Sequence, residues 1–228
     1  NLKRWIQCGF TGGQLINNLG LFIFIAYILI VSGLVVSEYY NFKVGEYIFK
    51  PVAALSFVFI SFKLGALESG YGCLILFSLA LCAVGDILLL NRKLKISFFC
   101  GMLVFAIAHL LFSLAFIKSS TFDFASLVTF LPLIMILGCI NFMYLLPRVP
   151  HKFKPFILLY GLAIFMMITS AYTFMYEQKL ILIAATFFVL SDIFVAKDRF
   201  IKHSTKNALL ITPLYFAAQG LFAFSVSV

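Results

Sequence analysis

Two aspartates, Asp86 and Asp192, lie within long apolar stretches of this sequence and are its strongest candidates for chemistry. A carboxylate inside a membrane-spanning segment is energetically costly, so an acid in such a place generally marks a functional site. Two acids in different surroundings can divide a reaction, because one donates a proton while the other stabilises a cation or activates water. In the alternative interpretation, each aspartate reaches the basic loop that follows it and pairs with Arg92 or Arg199.

Five further polar residues in apolar stretches are candidates to bind a substrate beside these acids: Lys50, His109, Tyr160, Tyr215 and Gln219. A lysine that turns inward near two aspartates supplies a cationic corner for a phosphate group. His109 lies deep in its stretch, on the order of 10 Å deeper than Asp86, so we expect it to line a deeper cavity rather than to pair with that acid. Alternatively, Lys50 anchors its helix at the membrane interface, and the other four residues only pack or hydrogen-bond between helices.

The sequence carries no pattern typical of a metal site or of a soluble hydrolase. A zinc site needs three or four His, Cys or carboxylate ligands, whereas the five cysteines have no ligand spacing: Cys8, Cys73, Cys82, Cys100 and Cys139. A thiol in an apolar helix is an ordinary small apolar residue. The sequence also has no glycine-rich phosphate loop and no nucleic-acid-binding motif. We therefore expect neither a metal nor another cofactor, and no nucleic-acid partner.

The elements that must position these residues are membrane helices. The chain has 228 residues, of which 64% are hydrophobic and only 11% charged, and its mean hydropathy is +1.12. A soluble domain could not cover so much apolar surface with polar groups, and long unbroken apolar runs indicate helices rather than a barrel. We predict an all-α integral membrane protein with an interfacial arm over residues 1–18 and one membrane domain over 19–228. Its eight spans are predicted, with bounds given to within a few residues, at 19–37, 48–62, 70–90, 96–117, 124–146, 155–174, 179–196 and 207–227. The second is short for a span, which allows a start a few residues earlier.

The basic residues predict how the protein lies in its membrane. The formal charge is +9, and twelve of the seventeen Lys and Arg residues fall in the loops after spans 1, 3, 5 and 7 or at the start of span 2. Because positive residues accumulate on the cytoplasmic side, we expect those loops in the cytoplasm and both termini outside it. The host membrane is then the inner membrane of a bacterium or an endoplasmic-reticulum-type membrane of a eukaryote.

Three short motifs recur in the same order in the two halves of the chain. Residues 49–51 and 153–155 both read Phe-Lys-Pro, Gly85-Asp86-Ile87 corresponds to Ser191-Asp192-Ile193, and residues 108–112 correspond to 218–222. Four spans in each half give both halves the same orientation, so we predict two parallel four-helix repeats over about 19–120 and 121–228. The two aspartates would then face one another at similar depth, near the cytoplasmic side.

The segments around both aspartates resemble the signature of a known family. Residues 85–90 and 191–196, the second followed by Arg199-Phe200, are similar to the aspartate motifs of the YhhN-like lysoplasmalogenases. Ala108-His109, Lys50-Pro51 and the stretch from Tyr215 to Gln219 match the same pattern. The resemblance extends from about Lys50 to the C-terminus, and the two aspartate motifs are its specific part.

The resemblance implies an ether-bond hydrolase whose substrate is a lysophospholipid in the bilayer. Lysoplasmalogenases cleave the vinyl ether bond of lysoplasmalogens and release a fatty aldehyde and glycerophosphoethanolamine or glycerophosphocholine. The reaction suits a protonated acid paired with a carboxylate, as in glycosidases, which pass through a similar cation. On this hypothesis Asp86 and Asp192 are the catalytic pair, with Lys50 at the headgroup phosphate and the other polar candidates lining the pocket.

Two other functions fit some of the same residues. Parallel repeats with acids inside the membrane also describe proton-coupled carriers of lipids or small solutes, whose binding site lies near the middle of the membrane. Both aspartates are instead predicted nearer one face, which favours the enzyme. A lipid-binding scaffold without catalysis leaves two costly carboxylates unexplained.

Overall fold

The structure, a computed structural model, describes residues 13–90, 95–120, 124–174, 178–202 and 204–227. In these ranges the chain forms eight long α-helices and no β-strand. They are α1 (Gly13–Tyr39), α2 (Lys43–Lys63), α3 (Gly70–Leu90), α4 (Lys95–Ser119), α5 (Phe124–Leu145), α6 (Lys154–Phe174), α7 (Lys179–Phe200) and α8 (Thr205–Phe224). All eight are long and apolar enough to cross a bilayer. The predicted all-α membrane architecture with eight spans is therefore confirmed.

Tight turns join the first helices because a few residues accept special backbone conformations or cap a helix end. The turn after α1 contains Asn41 with a positive φ of 53°, a conformation that asparagine tolerates better than most residues. Gly65, with φ of 85°, follows α2 at a left-handed position that favours glycine. The hydroxyl of Ser69 accepts a hydrogen bond from the backbone N–H of Gly72 at 2.9 Å, which caps the first turn of α3. These turns hold the first three helices as antiparallel neighbours.

Three helices differ from their predicted bounds in ways that affect the site. The first begins at Gly13, so only residues 1–12 of the predicted arm at 1–18 precede it, and those residues lie outside the described ranges. The second begins at Lys43 rather than 48, and α7 continues to Phe200 rather than ending at 196. Polar and basic residues extend these helices beyond their apolar cores, because a helix does not have to end where hydrocarbon does. The longer α2 places Lys50 seven residues from the start of its helix, and the longer α7 places Asp192 eight residues from the end of its helix.

The helices pack around a core that is rich in phenylalanine. Four phenylalanines from α4, α7 and α8, namely Phe112, Phe188, Phe216 and Phe222, are almost fully buried. Helix α3 packs on α4, α7 packs on α8, and α1 and α2 close the bundle against α8. Helix α5 contacts mainly α6 and leaves most of its side chains on the outer surface. The two-repeat arrangement stays a prediction.

Candidate active site

Asp86 lies one turn before the end of α3 and is buried between α2 and α8. Its side chain is only 4% exposed. The hydroxyl of Tyr215 donates a hydrogen bond of 2.7 Å to Oδ2 of this aspartate, and Nζ of Lys50 lies 3.7 Å from Oδ1. A hydrogen bond to the charged form and a nearby cation both favour an ionised carboxylate. The geometry therefore describes Asp86 as a carboxylate with two protein partners.

Lys50 reaches this carboxylate because α2 starts earlier than predicted. Its following residue, Pro51, was expected in the first turn of the helix, but the helix begins at Lys43 and Pro51 lies in its interior. Seven residues separate Lys43 from Lys50, which places the lysine about 10 Å along the helix axis. The corresponding Lys154 is instead the first residue of α6, where a following proline fits the first turn. Of these two lysines, Lys50 is the one that lies beside an aspartate in the described part of the chain.

Asp192 in α7 has a histidine as its principal partner. Nε2 of His109 lies 3.4 Å from Oδ2 of Asp192, and the imidazole is completely buried. The other ring nitrogen, Nδ1, lies 2.6 Å from the backbone carbonyl oxygen of Phe105. Because that oxygen can only accept, Nδ1 must carry a hydrogen and donate it. A second proton, on Nε2 or on the carboxyl group, is needed to make the approach of His109 to Asp192 attractive.

The meeting of His109 with an aspartate differs from the sequence-based expectation that the histidine lies deeper than the acids. Asp86 is four residues from the end of α3, whereas Asp192 is eight residues from the end of α7. The helix rise converts these separations to about 6 Å and about 12 Å. Asp192 thus lies farther from the end of its helix than Asp86 does, and the acid that His109 meets is Asp192 rather than Asp86.

The remaining candidates, Tyr160 and Gln219, complete the surroundings of the two acids. The ring of Tyr160 packs edge-on against the His109 imidazole with centroids 5.4 Å apart, and the tyrosine lies within electrostatic range of Asp192. Gln219 is fully buried in α8. Among the described residues, neither the nitrogen nor the oxygen of its amide has a hydrogen-bond partner. A buried amide is costly without partners, so this side chain is suited to bind a polar group that enters the cluster.

A cysteine that the sequence analysis treated as ordinary packing joins the two halves of the site. Cys82 is fully buried, and its thiol lies within range of both carboxylates, of the Gln219 amide and of the Tyr215 hydroxyl. It precedes Asp86 by four residues, so both side chains lie on one face of α3. That spacing is the signal by which the sequence could have indicated it. Lys50 and Tyr215 neighbour Asp86, His109 neighbours Asp192, and Cys82 lies within electrostatic range of both carboxylates.

A third acid near this cluster comes from α1. Glu38 is only 8% exposed and lies within electrostatic range of Asp86. Its Oε2 accepts a hydrogen bond of 2.5 Å from the hydroxyl of Thr212 in α8. The first span is predicted to end at residue 37, which places Glu38 in the following loop. Because the helix continues to Tyr39, the glutamate is carried into the bundle.

The arginine pairing considered for Asp192 is not what the structure places there. The guanidinium of Arg199 lies over the ring of Phe98, 4.4 Å from its centroid, while Asp192 faces His109. Arg92, the other possible partner, lies outside the described residues. The two carboxylates thus share a pattern of neighbours. Asp86 has Lys50 from α2, the preceding helix of its own half, and Tyr215 from α8, the last helix of the other half. Asp192 correspondingly has Tyr160 from α6 and His109 from α4.

Comparison with known proteins identifies the family. The sequence model of the YhhN family matches residues 45–226, which covers α3–α8 and nearly all of α2. Comparisons with curated proteins and with solved structures find no match. The matched segment contains both aspartates and every polar candidate residue, whereas α1 precedes it. The chain belongs to the YhhN family.

Proposed function

We propose that this protein hydrolyses the vinyl ether bond of lysoplasmalogens, releasing a fatty aldehyde and a glycerophospho-ethanolamine or -choline. One observation supports the proposal: two carboxylates with different partners, on helices long and apolar enough to cross a membrane, both lie within electrostatic range of the buried Cys82. Asp86 faces a cation and a hydroxyl donor, whereas Asp192 faces a histidine. Different partners allow one acid to be ionised while the other holds a proton. Membership of the YhhN family is consistent with this activity.

We assign the role of proton donor to Asp192 together with His109. Their facing atoms, 3.4 Å apart, are both acceptors unless one of them is protonated. The bond from His109 Nδ1 to Phe105 fixes the ring so that Nε2 stays directed at the carboxyl group. The pair therefore holds one mobile proton beside the cluster. Protonation of the alkene carbon farther from the ether oxygen is the first step of vinyl ether hydrolysis, and it needs such a donor.

Asp86 is assigned the complementary role. Protonation of the alkene leaves an oxocarbenium ion, and a carboxylate next to it stabilises that cation and accepts a proton from the attacking water. The hydrogen bond from Tyr215 and the ammonium of Lys50 hold Asp86 in place and favour its carboxylate form. The ammonium of Lys50 also serves the headgroup phosphate, and because it lies beside Asp86 it orients the substrate with the ether oxygen close to that carboxylate.

The proton balance closes over one turnover. Asp192 with His109 gives a proton to the alkene carbon, and water adds to the neighbouring carbon while Asp86 takes a proton from it. The hemiacetal then collapses: Asp86 returns its proton to the departing glycerol oxygen, and the hemiacetal hydroxyl gives its proton to the Asp192–His109 pair. An aldehyde and an alcohol leave, and both acids regain their starting states. The unpartnered amide of Gln219 is suited to hold the water or the hemiacetal hydroxyl.

The experiment is to incubate the purified protein in detergent with lysoplasmenylethanolamine and to measure free aldehyde over time. The proposal predicts stoichiometric release of aldehyde and glycerophosphoethanolamine, and no release from the matched alkyl ether lysolipid, which has no double bond to protonate. A carrier needs a sealed membrane and gives no product in detergent. Uptake of lysoplasmenylethanolamine into proteoliposomes without hydrolysis would therefore contradict this proposal and show that the protein is a carrier.

A further inference from the structure

An apolar groove between α1 and α2 has a position and direction that suit a lipid chain. The groove has a volume of about 330 Å³. Its walls include Ala26, Tyr27 and Ile30 of α1 and Val52, Leu55 and Phe59 of α2. Leu55 and Phe59 are exposed on the outer surface of the bundle, so the groove opens toward the lipid.

The inner wall of this groove adjoins the candidate active site. Tyr27 is buried, and its hydroxyl donates a hydrogen bond of 2.6 Å to the backbone carbonyl oxygen of Phe216 in α8. The residue before Phe216 is Tyr215, whose own hydroxyl binds Asp86. Tyr27 also lies within electrostatic range of Asp86. The buried side chain of Tyr27 therefore connects the wall of the groove with the segment of α8 that holds Asp86 through Tyr215.

The groove runs in the direction in which a lysolipid lies in a membrane. On α2 it starts at Val52, two residues beyond Lys50, and reaches Ile60. Eight residues of helix correspond to about 12 Å along the axis. Lys50 and Glu38 lie toward the end of the bundle where α1 joins α2, and the groove extends from there toward the opposite face. A lysolipid has the same order: a charged headgroup at the interface, the ether bond next to it, and one hydrocarbon chain directed into the bilayer.

We propose that this α1–α2 groove binds the hydrocarbon chain of the lysolipid substrate. The inference rests on the proposed function for the identity of the lipid. With the chain in the groove and the phosphate near Lys50, the vinyl ether lies at the level of Asp86. In this arrangement α1 takes part in substrate binding, although it precedes the segment matched by the family model.

A second groove on the bundle supplies a matched control. It lies between α3 and α4, has a volume of about 340 Å³, and is lined by six apolar residues, among them Phe77, Ala80 and Val84. None of these six residues takes part in the polar cluster. Ala26 and Ala80 are both half-buried alanines in the wall of a groove. The same substitution at each position therefore tests one groove against the other.

The first measurement is the kinetics of Ala26→Phe and Ala80→Phe with a long-chain lysoplasmalogen and with a very short-chain analogue. A phenyl ring in the α1–α2 groove should raise KM for the long-chain substrate by about tenfold, which corresponds to roughly 1.4 kcal/mol of lost binding, while the short-chain substrate changes little. Ala80→Phe should change neither. Equal effects of the two variants on the long-chain substrate would overturn the proposal.

The second measurement does not depend on activity. An alkyl ether lysophosphoethanolamine with a diazirine in its chain is photolysed with the unmodified protein in detergent, and the labelled peptides are mapped. Label concentrated on the groove segments 22–30 and 52–60 supports the proposal. Label spread evenly over the outer surface, including 74–84, indicates bulk lipid only and overturns it. Label concentrated on the groove segments, with no aldehyde release from lysoplasmenylethanolamine in the separate assay, would support the chain site and contradict the proposed hydrolysis. Aldehyde release in that assay, with label spread evenly, would support the hydrolysis and contradict the chain site.

Discussion

Nε2 of His109 lies 3.4 Å from Oδ2 of Asp192, and no water-exposed surface remains on the imidazole. The two side chains come from α4 and α7 and meet at a depth that neither sequence motif specifies by itself. Because Nδ1 is already engaged with the carbonyl of Phe105, Nε2 is the ring nitrogen that faces the carboxyl group. In the proposed mechanism, this relationship distinguishes the two carboxylates and is the reason for assigning the donor role to Asp192.

If the pair acts as a unit, substitutions of its members are not additive. His109→Gln keeps hydrogen bonding but cannot hold a proton, and we expect it to lower kcat by roughly 100-fold, within the range for loss of general acid catalysis. Asp192→Asn should cost a similar factor, and the double variant should be hardly worse than either. The measurement is aldehyde release by all three proteins. Multiplicative losses in the double variant would show that the two residues act separately.

The Tyr215 hydroxyl should matter for the reaction more than for folding. Tyr215→Phe keeps the buried ring among Phe105, Phe188 and Phe216 and removes the hydroxyl that donates to Asp86. A hydrogen bond to a charged group contributes about 1.5–3 kcal/mol, so we expect kcat/KM to fall by roughly tenfold to 100-fold. Thermal unfolding in detergent should change by only a few degrees. An unchanged kcat/KM would contradict the role of Asp86 in the reaction.

Lys50 and Lys154 test the phosphate site as a matched pair. Both precede a proline in corresponding motifs, but only Lys50 lies beside a carboxylate. Lys50→Met should raise KM for the lysolipid by at least about tenfold because an ammonium bound to the phosphate is lost. Lys154→Met should leave KM near its original value. Equal KM changes in the two variants would contradict the assignment of the headgroup to Lys50.

Gly85, the residue before Asp86, allows α3 and α4 to approach closely. A Cβ added there would lie 2.6 Å from the ring of Phe105, which packs against Tyr215 with centroids 6.0 Å apart. Overpacking of this kind costs about 1–3 kcal/mol, so Gly85→Ala should lower the melting temperature and the activity together. Gly138 in α5 is the control, because no atom lies within 4 Å of its added Cβ. Gly138→Ala should be neutral or stabilising, and a loss of stability equal to that of Gly85→Ala would refute the packing argument.

The eight helices could be predicted from the sequence because their cause is local. Backbone groups in hydrocarbon must be bonded within the segment, so each long apolar run becomes a helix. The ends of the helices could not be predicted as well, since polar residues continue a helix into the interface without interrupting it. The differences at Lys43, Tyr39 and Phe200 are of this kind. The earlier start of the short second span agrees with the allowance made for it, and the later end of the first helix places Glu38 within α1.

The candidate residues were found because a polar side chain in an apolar run is conspicuous. Their partners were not, because pairing depends on which helices are neighbours and at what depth they cross. His109 therefore meets Asp192 in α7, although motif order alone did not join them. Cys82 was passed over because a thiol resembles a small apolar residue in composition, and only the packing places it between the two carboxylates.

The central claim is that both aspartates perform the hydrolysis, and the most direct test is aldehyde release from lysoplasmenylethanolamine by Asp86→Asn and Asp192→Asn. Asparagine keeps the size of the side chain but cannot exchange a proton as a carboxyl group does. The account predicts that each variant, purified in detergent with an unfolding temperature near that of the original protein, loses about 100-fold or more of the rate. Near-normal aldehyde release by either folded variant would contradict it.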